Sequence, residues 1–140
     1  MAKLPIQVDV ILFHIDNNIN YLLFKRQPER GGFWQPITGG VEEGETILYA
    51  ARRETMEESG YLKVKNMYDL KYTFEFNVKE KIITEHVFAF EVHDKNAVFC
   101  EREHSEIKWV TYDQAVSMLK WDTNIESLKK INDYLLSKVK

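Results

Sequence analysis

The stretch RETMEESGY, Arg53 to Tyr61, crowds Arg53, Glu54, Glu57 and Glu58 together, directly after the helix-favouring run LYAAR. Carboxylates at i,i+3 and i,i+4 spacing on a helix repel by roughly 0.2–0.5 kcal/mol per pair. A chain that folds through this segment must therefore bring something to offset the repulsion. TILYAARRETMEESG reads as the clearest helix of the chain, with Thr46 as N-cap and Gly60 as C-terminal stop. On a wheel of about 100° per residue with Glu54 at zero, Glu57 falls at about −60° and Glu58 at about +40°. Ile47, Ala50, Ala51 and Tyr61 share that side, whereas Arg52, Met56 and Ser59 fall opposite. The expectation is that the three acids continue the face that packs on a sheet. A solvated acidic stripe, the alternative, would lie opposite the apolar residues.

Inward-facing acids need protons or cations. Magnesium or manganese suits them best, being hard cations with oxygen ligands that commonly meet substrate phosphates. The preceding loop, GGFWQPITGGVEEGE, holds both Gly-Gly pairs of the chain. Gly39 and Gly40 are expected to use backbone angles closed to other residues and to bring carbonyls and amides close to a ligand. A tight turn without a ligand is the other reading of that pair. Glu45 near the helix start gains from the macrodipole in any case.

The rest of the chain reads as a mixed sheet with one central helix and one or two C-terminal helices. Residues 6–15 and 20–26 look like strands joined by the turn DNNIN, with a short strand around Trp34 to Thr38. KVKNMYDLKYTFEFNV and KIITEHVFAFEV alternate as an antiparallel pair, IKWVTY is a short strand, and YDQAVSMLK and NIESLKKINDYLLSKV have helical spacing. With 140 residues, 44% hydrophobic and 29% charged, the chain is expected to form one globular domain over residues 1–140. Cys100 is the single cysteine, which excludes an internal disulfide and a multi-cysteine zinc site. The apolar N-terminal run is interrupted by Asp9 and His14 and reads as a strand rather than a signal peptide. No run approaches a membrane span, so the expected compartment is the cytoplasm. A net charge of −3 without a basic stripe argues against a nucleic-acid surface.

From Gly39 to Tyr61 the chain reads GGVEEGETILYAARRETMEESGY, which resembles the Nudix signature G-x5-E-x7-R-E-U-x-E-E-x-G-U, where U is a bulky apolar residue. Gly39, Glu45, Arg53, Glu54, Glu57, Glu58 and Gly60 all fall in register. Thr55 and Tyr61 stand where aliphatic residues are usual, and Thr38 replaces a common proline. These are packing positions. The resemblance implies an α/β/α sandwich with a mixed sheet that hydrolyses a diphosphate linked to another moiety. It implies Glu57 and Glu58 as main metal ligands, Glu54 as ligand or base for the attacking water, and Arg53 as the residue that orients a glutamate. It further implies the carbonyl of Gly39 or Gly40 as an added ligand, Mg2+ or Mn2+ as cofactor, and leaves room for a homodimer.

Outside the signature, Glu103 in EREHSEIKW stands six residues before Trp109, a spacing at which similar enzymes carry a further acid. Glu103 is the candidate for the extra ligand or base and Glu85 in ITEH its competitor. A solvent-facing glutamate is the alternative for either. GGFWQPITGG and the EH…KWV…W pattern resemble nucleoside-triphosphate-type members, dihydroneopterin triphosphate pyrophosphatases in particular. On that resemblance the partner is a small phosphorylated substrate, a nucleotide or pterin triphosphate, cut to monophosphate and pyrophosphate. Phe33 or Trp34 is then a stacking platform, with core packing as the alternative. Lys25, Arg26 and Arg30 are candidate phosphate contacts, and Gly40 approaches the substrate. Hydrolysis of another linked diphosphate, such as a nucleotide sugar, and a catalytically silent nucleotide-binding module are the rival readings. RNA end processing lacks a basic surface.

Overall fold

The computed structural model describes residues 3–139. The seven strands run β1 (Lys3–Ile15), β2 (Ile19–Arg26), β3 (Trp34–Gln35), β4 (Ile37–Glu42), β5 (Asn66–Val78), β6 (Lys81–Glu91) and β7 (His104–Val110). The helices are α1 (Ile47–Ser59), α2 (Tyr112–Met118) and α3 (Asp122–Val139), with one 3-10 turn at Pro28–Arg30. The N-terminal strand expected from the sequence is present, while Met1 and Ala2 lie outside the described residues.

β1 is the hub of the sheet. It pairs antiparallel with β2 through Leu12–Ile15, antiparallel with β4 through Lys3–Val10, and parallel with β6 through Ile6–Phe13. β5 closes one edge against β6, while β3 and β7 pair with β2. The β5–β6 hairpin turns through Lys79 and Glu80, both at positive φ, the pattern of a two-residue turn that matches strand twist.

Successive side chains of a strand point to opposite faces, and β1 shows this directly. Val8, Val10 and Leu12 pack with Ala50 and Ala51 of α1, whereas Ile11 and Phe13 pack with Ala115 of α2 and Leu128 and Ile131 of α3. Helices therefore cover both faces of a mixed sheet, the expected α/β/α sandwich. The cap residues of α1 are those read from the sequence: Thr46 Oγ1 accepts from Tyr49 N, and Gly60 ends the helix at φ 81°.

Two expectations are corrected here. The strand around the second glycine pair does not stop at Thr38. It continues through Gly39 and Gly40 to Glu42, and neither glycine is at positive φ. What Gly39 supplies is the lack of a side chain: a Cβ there would lie 2.1 Å from Glu54 Cδ. The buried stripe of α1 also differs from the wheel. It comprises Ala50, Ala51, Glu54, Thr55, Glu58 and Ser59, with Glu57 exposed at its margin. Ser59 turns inward because its hydroxyl donates to Thr55 O, as Thr55 Oγ1 donates to Ala51 O. Small hydroxyl residues bonded back to the helix can face a core.

Candidate active site

The site is built around Arg53. Its Nε and NH2 bind both oxygens of Glu45 at 2.6 and 2.9 Å, and its NH1 reaches Glu54 Oε1 at 2.9 Å and Glu57 Oε1 at 2.8 Å. NH2 also donates to Gly40 O at 3.0 Å, and Glu42 Oε2 lies 3.5 Å away. A planar guanidinium with five donors suits such bridging in a way lysine cannot. Glu45 accepts in turn from Glu42 N. It thereby ties the β4–α1 turn to the helix, a role that the spacing of a single glutamate does not disclose.

The Arg53 charge offsets much of the repulsion that the sequence poses. The Glu45 carboxylate holds the guanidinium pKa above its ordinary range, and Arg53 in turn holds the Glu45 carboxyl below its own. Glu54 is less favoured. Burial, with further repulsion from Glu57 and Glu58, pushes its carboxyl up to about 7 despite Arg53.

Glu58 leaves this hub and meets β7. Its Oε2 lies 3.1 Å from His104 Nδ1, too oblique for a hydrogen bond, so both buried atoms lack a hydrogen-bond partner among the described residues. Glu103 completes a trio, since ligand atoms of Glu58, Glu103 and His104 all lie within 4.8 Å of one another. Burial disfavours the Glu58 charge, but the neighbouring His104 and Glu103 hold its carboxyl below the usual range, while Glu103 is raised by its contact with Glu58. His104 was not singled out in the sequence. Its signal was the pairing Arg26↔His104 across β2 and β7, which a linear reading does not give. Behind it, Gln35 Nε2 lies 3.3 Å from His104 Nε2.

The donor set fits a hard divalent cation. Arg53 binds only Oε1 of Glu54 and of Glu57, so the second oxygen of each is left by it, alongside the Glu58 and Glu103 carboxyls. Buried, unpartnered carboxylate oxygen beside further acids is stable when a cation completes it.

The other expected residues divide. Glu85 is not at this site. It sits on the opposite face of the sheet against Asp9, lining a cavity of about 630 Å3 with Arg26, Gln35, Thr38, Phe74 and Trp121. Arg26 thus reaches a cavity, and its Nε donates to Arg30 O. Trp34 and Lys25 are not among the cavity-lining residues. Trp34 packs with the core beneath α2, bridges to Leu119 and carries Lys25 Nζ 5.9 Å from its ring, because strand alternation turns it away from Gln35. Phe33 packs edge-on against Trp121 at 5.7 Å. Gly40 directs its carbonyl to Arg53 rather than outward.

A helix capped against a mixed sheet thus ends in arginine-bound carboxylates, with Glu103, just ahead of the last strand, beside Glu58. The chain belongs to the Nudix family: the family model described as "NUDIX domain" matches residues 3–131. It is 29% identical over 142 aligned positions to the dihydroneopterin triphosphate diphosphatase of Escherichia coli K12, covering 91% of this chain and 92% of that protein. It is 38% identical over 113 residues to an octanoyltransferase of Myxococcus xanthus, where the match spans 78% of this chain but only 31% of that longer protein. A crystal structure described as a NUDIX hydrolase from Listeria monocytogenes superposes with a TM-score of 0.85 at 31% identity, covering 96% of this chain and 97% of that one. Among the described residues, no helix is long and apolar enough to cross a membrane.

Proposed function

We propose that the chain is a Mg2+- or Mn2+-dependent pyrophosphohydrolase that cuts a nucleoside or pterin triphosphate into the monophosphate and pyrophosphate, working as a single domain. The observation that carries this reading is the Arg53 hub: one guanidinium holds both oxygens of Glu45 but only Oε1 of Glu54 and of Glu57, and leaves the second oxygens of Glu54 and Glu57 and all of Glu58 to other partners. Similarity to a diphosphatase of dihydroneopterin triphosphate along nearly the whole chain supports the substrate class.

Bound at this site, a divalent cation would lower the pKa of a coordinated water and neutralise charge on the phosphoryl group. Glu57, Glu58 and Glu103, with the Gly39 carbonyl, would hold it. Glu54 accepts the proton of the attacking water at Oε2. The water oxygen bonds to phosphorus as the bridging P–O bond breaks. Its electron pair leaves on the departing phosphate group, and the proton passes from Glu54 to solvent. His104 lies against Glu58, while Arg26 and Arg30 meet the distal phosphates.

Turnover of a panel of nucleoside and pterin triphosphates with Mg2+ in oxygen-18 water, followed by mass analysis of the products, tests this. Monophosphate and pyrophosphate are expected, with the label showing which phosphorus is attacked. Orthophosphate as first product, or cleavage of sugar-linked diphosphates only, would overturn the triphosphate reading.

A further inference from the structure

Among the described residues, four buried side-chain atoms have no hydrogen-bond partner: Asp9 Oδ1, Glu58 Oε2, His104 Nδ1 and Trp109 Nε1. Two of them face each other, since Glu58 Oε2 and His104 Nδ1 are 3.1 Å apart without the alignment of a hydrogen bond. Glu58 and His104 are 5% and 2% exposed, so bulk water does not reach them. A buried polar atom left unsatisfied costs about 1–3 kcal/mol. Two such atoms side by side call for one occupant that satisfies both.

An irregularity of the backbone brings His104 to this place. Across β2 and β7, Lys25 pairs with Glu106 and Arg26 with His104, so Ser105 is an extra residue in β7, a β-bulge. In unbroken alternation His104 would share a face with Glu106 and Lys108, away from Ile107 and Trp109, which pack on the α1 side. The bulge turns it to the α1 side, where its ring lies 5.1 Å from that of Phe24. The segment ahead of it is pinned as well. Gln27 N donates to Glu103 O, and Gln27 Nε2 donates to Glu101 O and His104 O. Glu103 and His104 thus offer their side chains from a fixed backbone, and their ligand atoms and that of Glu58 all lie within 4.8 Å of one another.

We infer that His104 Nδ1 is a direct ligand of a divalent cation at this site, joining Glu58 and Glu103, so that one imidazole nitrogen stands among the carboxylate oxygens. Ligands of an ion that bonds at about 2.0–2.2 Å stand about 3.0–3.4 Å apart, from right-angled to tetrahedral geometry, and the 3.1 Å between Nδ1 and Oε2 falls there. A shared cation also accounts for the oblique approach, because neither atom then has to aim at the other. Ligation by Nδ1 places the ring proton on Nε2, where it needs an acceptor. Gln35 lies there at 3.3 Å, and its side chain makes no other hydrogen bond among the described residues. With its amide turned about the last bond, Gln35 offers Oε1 to Nε2–H, the kind of carbonyl partner that ligating imidazoles have. The opposite turn puts the ring proton on Nδ1, where the Glu58 oxygen is out of line to accept it. An imidazole nitrogen favours transition-metal ions, with affinity rising from Mn2+ to Co2+, whereas Mg2+ prefers oxygen and keeps its waters. The site therefore selects transition-metal ions over Mg2+. This rests on the acidic cluster being a cation site and not on which substrate is cut.

Pulsed electron paramagnetic resonance of the full chain loaded with Mn2+ reads the bond itself, and coupling to a directly bonded nitrogen is expected. It needs no variant, and Mn2+ bound without that coupling would overturn the inference. Titration calorimetry with Co2+ and Mg2+ supplies the second measurement. In His104→Gln the ratio of the two dissociation constants should move against Co2+ by about tenfold or more, at least the cost of losing an outer partner of a metal site. An unchanged ratio in a folded His104→Gln protein would overturn the inference as well. Failure of the parent to bind Mn2+ would overturn the cation site itself and the proposed function with it. Nitrogen-coupled Mn2+ without cleavage of any triphosphate would instead overturn the proposed reaction and leave the ligand set standing.

Discussion

At the end of α1, Glu45, Glu54 and Glu57 each bond to the Arg53 guanidinium, whereas Asp9 and Glu85, on the other face of the same sheet, have each other and Asn124. One set of acids is arranged around a permanent positive charge and keeps oxygens ready for a second cation. The other has no cation in its hydrogen-bond network and keeps a proton. Burial is common to both. What differs is whether a guanidinium stands within reach, and that decides whether a buried carboxyl offers charge or shape.

The largest effect that would break this contrast is at α1. Glu57→Gln or Glu58→Gln removes a ligand charge without changing shape, so Mg2+-dependent turnover should fall more than about a hundredfold, beyond what losing an outer partner of a metal site costs. Circular dichroism should show the fold intact. Near-full turnover in both variants would mean that these acids hold no cation. Glu103→Gln comes next, with a loss of about tenfold or more on every substrate, read as kcat/KM across the panel. Glu85→Gln, outside the cluster that holds Glu103, should do little by comparison, and equal effects of the two variants would erase the distinction between the sites.

How far the sequence discloses each region follows from where the residues lie. The acids of the Arg53 hub were legible in part because Arg53, Glu54, Glu57 and Glu58 are neighbours on one helix, whereas the clamp of Arg53 on Glu45 was not. His104 and the Asp9–Glu85 pair were not, because strand pairing between distant segments brings them together. The inward turn of Ser59 was missed because the wheel was centred on Glu54, whereas the helix buries a stripe displaced toward Thr55. The glycine pair was noticed for the wrong property. Gly39 matters for what a Cβ would strike, and that requires knowing that β4 passes under Glu54.

Gly39→Ala sharpens that last point. The added methyl meets the Glu54 carboxyl at 2.1 Å, so the helix or the strand must shift, at a cost of about 1–3 kcal/mol. A lower denaturant midpoint with reduced turnover is expected, whereas unchanged values in both would show that the helix end is free to move.

The smallest effect contrasts the two acid sets by pH. Asp9 and Glu85 have raised values in the folded chain, about 7 and about 9 against ordinary values of 3.8 and 4.5. The folded state therefore binds more protons than the unfolded state between those limits, and stability declines as pH rises from about 4 to about 9. Asp9→Asn and Glu85→Gln should flatten that decline, so their melting temperature relative to the parent rises between pH 5 and pH 9. Glu45 has the opposite sign. Its carboxyl is held low by Arg53, so its contribution is present above the ordinary carboxylate pKa and is lost as pH falls below it. Melting curves that fall in parallel for parent and variants across pH 5 to 9 would deny the pair its shared proton.

The contact between Glu58 and His104 has a consequence for how the protein comes into being on a ribosome. Translation delivers the helix well before it delivers β7, a gap of several seconds at about 5–20 residues per second. During that interval β1, β2, β4 and α1 can pair and pack, with Arg53 already clamping its glutamates, but Glu58 waits without its imidazole. β6, which must slide in parallel beside β1, also arrives in that interval. The nascent domain therefore holds a half-built acidic cluster beside an unfinished sheet, and the arrival of the last strand closes both together.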